Sequence, residues 1–395
     1  MADVAFVAAQ TDFAVGLLRK AIAGSNTSVI LSPISIAFAL SLAYAGAGGD
    51  TRREFERVFA KGGIAGNALD SHFHHSFAQL TAANEEKNRK MELCPYRACP
   101  GQTPDVAVEL ANRLYASHDL QVKAAYKQLI VEKFGGHLEQ VDFGRSEEVV
   151  KKVNDFVANA THDNIRDLLS SDFVNSDTKL LLVNAVYFKA AWEDRFSKGS
   201  TRSESFFIEQ NNKQQVHMMK MRRLQTYYAE TDDVQVLELP YKDERATFLV
   251  FLPKQRFGLS SWLQKVDGRG VLELMSRLET RKVNIDLPRF KTTSQFQLVQ
   301  MLQKLGFSKG FDQTADFSGI SDERLFISDG VHKAFIEVNE NGSEAAAATA
   351  WKWTDMSAVE DSEGPVRFRA DHPFAFLITY DKLPLFFGRF SGPSS

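Results

Sequence analysis

The stretch AFIEVNENGSEAAAATAWKW, residues 334–353, decides the fold of this chain. Its first eight residues show the β-branched and aromatic alternation that is typical of a strand. The alanines that follow would favour a helix by propensity alone, yet no helix stop separates the two segments. Gly342 stands at the junction and, because it has no Cβ, can turn through backbone angles that other residues avoid. The stretch therefore predicts a segment that is a strand in one state and an exposed loop in another.

In the strand state the side chains after Gly342 would alternate between the two faces of a sheet. One face would carry Ser343, Ala345, Ala347 and Thr349, and the other Glu344, Ala346 and Ala348. Small side chains on the inner face would let this strand enter between two existing strands without displacing a packed core.

Composition narrows the class of protein. The chain has 395 residues, of which 44% are apolar and 25% charged, which is close to the average for soluble globular proteins. A net charge of -3 gives no overall field that would recruit nucleic acid or anionic lipid, although it says nothing of a local charged patch. We expect no nucleic-acid partner and no membrane insertion, since no apolar run approaches the roughly 18 residues of a spanning helix.

The N-terminus predicts an amphipathic helix that carries Val7, Phe13, Leu17 and Leu18 on its apolar side. It lacks the basic start, apolar core and cleavage site of a signal peptide, so either the protein is not exported by a cleaved signal or the signal has been removed. The compartment stays open between the cytoplasm and the extracellular space. Sequons at Asn26, Asn159 and Asn341 matter only on the secretory route.

The two cysteines, Cys94 and Cys99, lie in a loop rich in proline, where they could form a disulfide or stay reduced. A metal site there would need two further ligands, and none lies at a suitable spacing. The histidines of HFHHSF (His72, His74 and His75) likewise have no carboxylate or cysteine at ligand spacing. We expect surface or boundary histidines and no metal or other cofactor.

The order of elements predicts a mixed α+β domain with large sheets. SPISIAFALSLAYAG (residues 32–46) has a serine cap, a proline in the first turn and a terminal glycine, as a helix requires, and residues 147–160 predict another helix. KLLLVNAVYFKAAW (residues 179–192) is a near-continuous apolar run, typical of a strand covered on both faces. Shorter strands are predicted at VQVLELPY, ATFLVFLP, KVNIDLPRF, HKAFIEV, FAFLITY and PLFFGRF.

Motifs of enzymes are absent from the sequence. GAGGDT (residues 46–51) follows a helix and lacks a third spaced glycine, so it predicts a helix C-cap and turn in preference to a phosphate loop. No nucleophile elbow, zinc-protease motif or lysine-bearing phosphate loop occurs. We do not expect an enzyme.

Four segments, in the same order along the chain, together resemble the serpins, the serine protease inhibitor family. They are ILSPISIAFALSLAYAGAGGDT, LLVNAVYFKAAWEDRF, FISDGVHKAFIEVNENGSEAAAATA, and FRADHPFAFLITY with PLFFGRF. The resemblance covers essentially the whole chain and is greatest to the ovalbumin-like branch, which starts without a cleaved signal.

The resemblance implies the fold and the mechanism. It implies one domain over residues 1–395, with eight or nine helices, three β-sheets and a reactive-centre loop over residues 342–367. A target serine protease would attack this loop as a substrate and form an acyl-enzyme. It would then be carried across the molecule as the cleaved loop inserts into the main sheet, which is an established case of strand addition. We expect a monomer whose partner is the protease.

The hinge of the loop is intact in this sequence. It comprises Gly342, Ser343, Glu344, Ala345, Ala346, Ala347, Ala348 and Thr349. Serpins that do not inhibit proteases commonly carry bulky or charged residues at the inward positions, and this chain does not. The hinge therefore favours an inhibitor over a carrier or chaperone.

The residue before the cut bond in the family lies fourteen positions after Gly342, which gives Met356 followed by Ser357. Methionine suits a chymotrypsin- or elastase-like pocket. The segment after Ser357 is several residues longer than usual in the family, so a shifted register would place Lys352 or Trp353 at the cut, for a trypsin-like or chymotrypsin-like protease. Trp351 and Trp353 also fall on the inward face, where they need far more volume than alanine.

Further residues match the positions that control opening of the sheet in the family. Ser32, Ser35, Asn184 and His332 match a polar cluster beneath it, Trp192 matches the tryptophan at the top of the opening, and Arg289 with Glu340 matches an ion pair that restrains the hinge. Ordinary polar residues of the core are the alternative for each.

Two other functions stay open from the sequence. One is a carrier or chaperone on the same scaffold, and the other is an inhibitor of papain-like cysteine proteases.

Overall fold

A computed structural model describes residues 4–60, 64–92, 106–134, 137–242, 245–343 and 364–393. Nine α-helices lie within these residues: α1 (Val4–Ala21), α2 (Pro33–Ala45), α3 (Gly49–Ala60), α4 (Asn67–Glu92), α5 (Ala124–Phe134), α6 (Ser146–Ala160), α7 (Leu259–Lys265), α8 (Gly268–Ser276) and α9 (Leu298–Lys304). No helix in this part of the chain is long and apolar enough to cross a bilayer.

Among the described residues, six strands form the main sheet, in the order β10 (Phe290–Gln297), β11 (Asp329–Asn339), β12 (Gly342–Ser343), β4 (Leu180–Ala191), β2 (Val106–Ser117) and β3 (His137–Val141). The two-residue strand β12 is the start of the loop that the sequence singled out. It lies in the middle of the sheet and not at an edge.

The other nine strands of the described part of the chain form one continuous hydrogen-bonded network. Its order is β1 (Val29–Leu31), β15 (Leu383–Phe390), β14 (Phe374–Tyr380), β8 (Ala246–Pro253), β7 (Val234–Pro240), β6 (Asn212–Glu230), β9 (Glu279–Pro288) and β13 (Val366–Arg369), with β5 (Arg202–Glu209) also on β6. The long strand β6 pairs with β5 through its first half and with β7 through its last residues. Three sheets were expected, and the described strands form the main sheet and this second network, in which β6 joins the strands paired with its two ends.

Helix α2 fills the centre of the molecule. Ser32 caps its first turn by accepting a hydrogen bond from the Ser35 amide, Pro33 opens it, and Gly46 ends it, as predicted. Twelve of its 13 residues are buried, because it packs between β2 and β4 of the main sheet and β15 of the second network. A helix that is apolar all round must be buried in this way.

Strand β4 is covered on both faces, which confirms the interpretation of its continuous apolar run. Leu180, Leu182 and Val186 join the large core that contains α2. Leu181 and Val183 join a smaller core on the opposite face, formed with α6 and the segment after it. This double cover fixes β4 as the rigid neighbour of β12.

Candidate functional site: the hinge and the strands around it

A tight hairpin joins β11 to β12. Asn339 pairs with Gly342 and Val338 with Ser343, so only Glu340 and Asn341 form the turn. On its other side β12 pairs with Ala191 and Ala190 of β4, again antiparallel. The first two residues after the turn are therefore already a strand between two others.

Gly342 must be glycine at this point of the hairpin. Its φ is 148°, a conformation that residues with a Cβ rarely adopt. A Cβ at this position would also lie 2.7 Å from the Cα of Ala191 and would collide with the carbonyl oxygen of Ala190. The predicted pivot is thus also the residue that lets the loop backbone approach β4 closely.

Ser343 is fully buried, and its side chain points into the core. Its hydroxyl group lies 2.7 Å from the hydroxyl oxygen of Tyr241. Tyr241 is itself fully buried, and this burial raises its pKa far above the usual value, so the phenol stays protonated. The pair forms a neutral hydrogen bond at the start of the loop.

Trp192 closes the top of the site. Its ring lies parallel to that of Tyr241, with the centroids 4.6 Å apart. Its indole N–H donates to the Asn339 carbonyl at 2.9 Å, and its backbone N–H donates to the Asn341 carbonyl at 3.1 Å. One residue at the end of β4 therefore binds both sides of the hairpin turn.

Glu340 is buried in the turn and has two side-chain partners among the described residues. The hydroxyl group of Thr201 donates to its Oε1 at 2.7 Å, whereas the Nη1 of Arg289 lies 3.8 Å from the same oxygen. The Arg289 side chain is 43% exposed, so solvent screens this ion pair. Thr201 is the closer restraint on the turn. Both partners line a cleft of about 730 Å³ beside it.

Below the hairpin, β11 and β4 pair with each other directly. This ladder is parallel and runs from Asp329 opposite Leu181 to Ala334 opposite Val186. Between its end and β12, residues 335–337 and 187–189 face each other without ladder pairing in the described part of the chain. The two strands are joined at the bottom and parted at the top.

A polar cluster, which we call the sheet cluster, joins three strands of the main sheet to α2. It consists of Asn112, Asn184 and His332, which lie in register on β2, β4 and β11, together with Ser32 and Ser35. Asn184 Nδ2 donates to the Ser35 carbonyl at 2.8 Å and to Asn112 Oδ1, while its Oδ1 contacts His332 Nδ1. The Ser32 amide donates to His332 Nε2 at 3.1 Å.

These bonds require a neutral His332. Nε2 accepts from the Ser32 amide, so the proton sits on Nδ1 and faces Asn184. Complete burial lowers the pKa of the imidazole to about 3. His332 thus holds β11 against β4 at the bottom of the parted region only in its uncharged form.

The far end of the loop is anchored on the second network. Strand β13 pairs with β9 in parallel, from Val366 opposite Val283 to Arg369 opposite Asp286. The guanidinium group of Arg369 binds Glu204 at 2.7 Å, Asp371 at 3.0 Å and Asp286 at 3.2 Å. The loop therefore connects two firmly bound strands.

The family profile described as serpin (serine protease inhibitor) matches residues 8–393. The chain belongs to the serpin family. This confirms the resemblance drawn from the four sequence segments. The family's description is that of protease inhibitors and not of enzymes, in agreement with the prediction.

Two relatives show the same branch of serpins. The chain is 32% identical to serpin B3 of Homo sapiens over 403 residues and 34% identical to leukocyte elastase inhibitor of Homo sapiens over 399 residues, with 98% of each chain covered. The structure of uncleaved ovalbumin matches with a TM-score of 0.83 and 28% identity, over 98% of this chain and 100% of that one. The α+β serpin fold and the ovalbumin-like branch are confirmed.

The predicted site residues fall into three groups in this serpin. Gly342 and Ser343 lie with Trp192, Arg289 and Glu340 at the hairpin, and Ser32, Ser35, Asn184 and His332 lie together in the sheet cluster. The rest of the hinge (Glu344, Ala345, Ala346, Ala347, Ala348 and Thr349), Met356, Ser357, Lys352, Trp353 and the cysteines Cys94 and Cys99 lie outside the described residues.

Three residues of the site were not predicted from sequence: Asn112, Thr201 and Tyr241. Asn112 joins the cluster through strand register, because it stands opposite Asn184 in the ladder of β2 with β4. Tyr241 and Thr201 lie in connections between strands, and nothing in their local sequence indicates contact with the loop. Of the histidines in α4, His72 stacks on Phe6 at 4.8 Å, while His74 and His75 are exposed.

Proposed function

We propose that this serpin is an irreversible inhibitor that traps a chymotrypsin- or elastase-like serine protease as an acyl-enzyme. The protease cleaves the loop after Met356, and the freed segment enters the main sheet as a new strand. The chain acts as one domain in this process, and residues 342–367 form its reactive loop.

The observation that carries this proposal is the position of β12. Gly342 and Ser343 pair antiparallel with both β11 and β4, between strands that are parallel to each other farther down. A longer β12 would replace one parallel ladder by two antiparallel ladders, which are slightly more stable per residue. The described hairpin already has the geometry of the first step of insertion.

Extending this register assigns a place to each residue of the loop. Ser343 stands opposite Val338 and Ala190, so each further residue steps one position down both strands. Thr349 would then stand between His332 and Asn184, which now contact each other. Insertion must break that bond, and the threonine hydroxyl group could bond to both partners in its place. The sheet cluster is thus the gate through which the loop passes.

The inward row of the loop fits this path. Ser343, Ala345, Ala347 and Thr349 would share one face of the new strand, because every second side chain points the same way. Their neighbours, such as Phe188 and Ile336, are fully buried and leave no room for large groups. Small side chains at these positions are what an inserting strand needs.

The free energy expected from loop insertion is large enough to trap a protease. About a dozen new strand hydrogen bonds at about 1 kcal/mol each would give on the order of ten kcal/mol. This rivals the whole stability of an ordinary domain, roughly 5 to 15 kcal/mol. The form before cleavage must therefore be held back kinetically, and the sheet cluster and the hairpin contacts would supply the barrier.

Met356 and the name of one relative support this class of target. Methionine fits the apolar primary pocket of a chymotrypsin- or elastase-like enzyme. A relative at 34% identity is called leukocyte elastase inhibitor, which agrees with this class.

Formation of a complex that survives SDS tests the proposal directly. The protein is titrated with chymotrypsin, elastase, trypsin and a papain-like cathepsin, and the products are separated by denaturing electrophoresis. We expect a stable complex with chymotrypsin or elastase at a stoichiometry near one. Cleavage of the loop without any such complex would contradict the inhibitor mechanism and leave the carrier or chaperone function.

Ser343→Arg should abolish inhibition, and Ser203→Arg is its matched control. A buried arginine at the entrance would stop insertion, so the variant should be cleaved as a substrate and its stoichiometry of inhibition should rise at least about tenfold. Ser203→Arg, at an exposed position on β5, is the control and should inhibit normally. Equal stoichiometries for the two variants would count against loop insertion.

A further inference from the structure

A basic cleft lies beside the hinge, although the chain as a whole has a net charge of -3. Its volume is about 490 Å³, and no acidic side chain is among the described residues that line it. The lining consists of four cations, two hydroxyl groups and one thioether, from Arg195, Arg202, Lys220, Arg222, Ser197, Ser200 and Met221. We call this site the basic cleft.

Two arginines of the basic cleft are held in place before any partner binds. Arg202 donates to the carbonyl groups of Gly199 and Thr201. Arg222 donates to the carbonyl groups of Met221 and Ile285 and to the Asp286 carboxylate. Fixed guanidinium groups lose little side-chain entropy when they bind a carboxylate. The cleft is therefore a prepared anion site and not a set of freely moving side chains.

The nearby carboxylates do not cancel the charge of the cleft. Glu204 and Asp286 are the partners of Lys220 and Arg222, but both are also bound by Arg369. Arg369 also binds Asp371, so together with Arg195 and Arg202 five cations surround three carboxylates, an excess of two positive charges. Glu193 and Asp194 are exposed nearby and do not line the cleft.

The position of the cleft relates it to the reactive loop. The segment 197–202 supplies three lining residues, and the same segment carries Thr201, which binds Glu340 in the hairpin turn. On the other side, Lys220 of β6 pairs with Asp286 of β9, the residue opposite Arg369 in the far anchor of the loop. The basic cleft thus lies between the two strands from which residues 344–363 extend.

We propose that the basic cleft is a docking site for an acidic surface patch of the target protease, separate from the loop residues that enter its active site. The inference rests on the proposed function, because a protease held on the loop would face this end of the molecule. Carboxylate groups of the protease would bind the arginines in bidentate geometry and accept hydrogen bonds from Ser197 and Ser200. A protease with an acidic patch near its active-site cleft is the preferred partner.

Docking at the basic cleft would speed the encounter of the serpin with the protease and would leave the trapping step unchanged. A concentrated positive patch raises the association rate of an acidic partner by ten- to about a thousandfold at low salt, and screening removes the gain. Insertion takes place in the main sheet, so the stoichiometry and the SDS stability of the complex should not depend on the cleft.

The test uses one protease in two charge states. The protease of the panel that forms a stable complex is used both unmodified and with its surface lysines succinylated, which replaces each positive charge by a negative one. Second-order inhibition rate constants are measured from about 25 to 300 mM salt. The serpins compared are the unaltered protein, Arg202→Gln/Arg222→Gln, and the control Lys151→Gln/Arg166→Gln, which removes the same charge from exposed residues in α6 and the segment after it.

We expect succinylation to raise the rate constant of the unaltered serpin about tenfold at low salt, and the control to keep that gain. Arg202→Gln/Arg222→Gln should lose most of it and still form complex at the same stoichiometry. Arg202→Gln alone leaves the ion pair between Arg222 and Asp286 intact. This variant should lose part of the gain, and it tests the inference even if the double variant does not fold. If every variant still forms the stable complex, the proposed inhibitory function holds, and only the role of the basic cleft in the association rate is being tested.

Two results would overturn the inference. The first is an equal gain on succinylation in the unaltered serpin and in Arg202→Gln/Arg222→Gln. The second is tight binding of heparin that requires Arg202 and Arg222, combined with no gain from succinylation. That result would assign the cleft to a sulfated glycan.

Discussion

The hydroxyl groups of Tyr241 and Ser343 lie 2.7 Å apart in a fully buried contact at the end of the two-residue strand β12. This hydrogen bond joins the loop to the second network, because Tyr241 directly follows β7. In the proposed mechanism it would fix the depth to which the loop is inserted before cleavage. Residues on either side of this bond should therefore control how easily the sheet opens.

Tyr241→Phe should destabilise the intact protein by about 1 to 3 kcal/mol, because it leaves the buried Ser343 hydroxyl group without its partner. Urea unfolding of the intact form measures this loss. Tyr227→Phe removes the same group from an exposed position on β6 and should cost less than about 0.5 kcal/mol. Equal effects of the two changes would mean that the contact with Ser343 does not restrain the loop.

His332→Ala should lower the thermal transition of the intact form and speed its spontaneous loop insertion on warming. The change removes both the acceptor for the Ser32 amide and the contact with Asn184, so the barrier between β11 and β4 falls. Scanning calorimetry and the loss of inhibitory activity with time follow the two effects. A variant that melts and ages like the unaltered protein would assign His332 to ordinary core packing.

The same histidine makes stability depend on pH. Its pKa is lowered from 6.5 to about 3 in the folded protein, so both states are neutral above about pH 6.5 and its contribution is fully present there. As the pH falls from 6.5 towards 3, only the unfolded chain takes up the proton, and stability is lost at about 1.4 kcal/mol per unit. The difference in unfolding free energy between the unaltered protein and His332→Ala should therefore shrink over this range. A constant difference from pH 7 to pH 4 would contradict the buried neutral imidazole.

Trp351→Ala should make trapping more efficient. Continuing the register of β12 places Trp351 opposite Leu182 and Gly330, where even a Cβ on Gly330 would lie 3.3 Å from Leu298. An indole in such a confined place would slow the last part of insertion, and alanine would remove that obstacle. The stoichiometry of inhibition should fall, and the insertion rate seen by stopped-flow fluorescence should rise severalfold. Slower insertion in this variant would show that the indole assists the step.

Met356→Arg should redirect the inhibitor to trypsin. An arginine before the cut bond suits the acidic primary pocket of trypsin and not an apolar one. Inhibition of trypsin should rise at least about tenfold, while that of chymotrypsin or elastase falls. Intact mass of the cleaved chain should place the cut between residues 356 and 357. A cut after Lys352 or Trp353 would show that the register of the loop is shifted.

The sequence predicted the elements whose side chains follow a clear pattern. The cap, the proline and the glycine located α2, and the bounds of β14 match the segment FAFLITY. Strands β2 and β6 were missed, because Glu109, Asn112 and Arg113 interrupt β2, and β6 carries many charged residues. Partner strands hold these segments extended, and their pairing cannot be read from local composition.

The residues of the site were likewise predicted only in part from the sequence. The family pattern located Gly342, Ser343, Trp192 and His332, but it gave Arg289 as the partner of Glu340, whereas Thr201 is closer by more than an ångström. Partners such as Thr201 and Tyr241 come from connections whose course depends on tertiary packing. Their contacts with the loop appear only when the sheets are assembled.

The central claim is that the intact protein is trapped above its lowest free energy and that cutting the loop releases it. The most direct measurement is calorimetric melting of the intact protein and of the same protein cleaved within residues 344–363 by a small amount of protease. The account predicts that the cleaved form melts at least about 10 °C higher, because the inserted strand adds on the order of ten kcal/mol. A cleaved form that melts at or below the temperature of the intact form would contradict it.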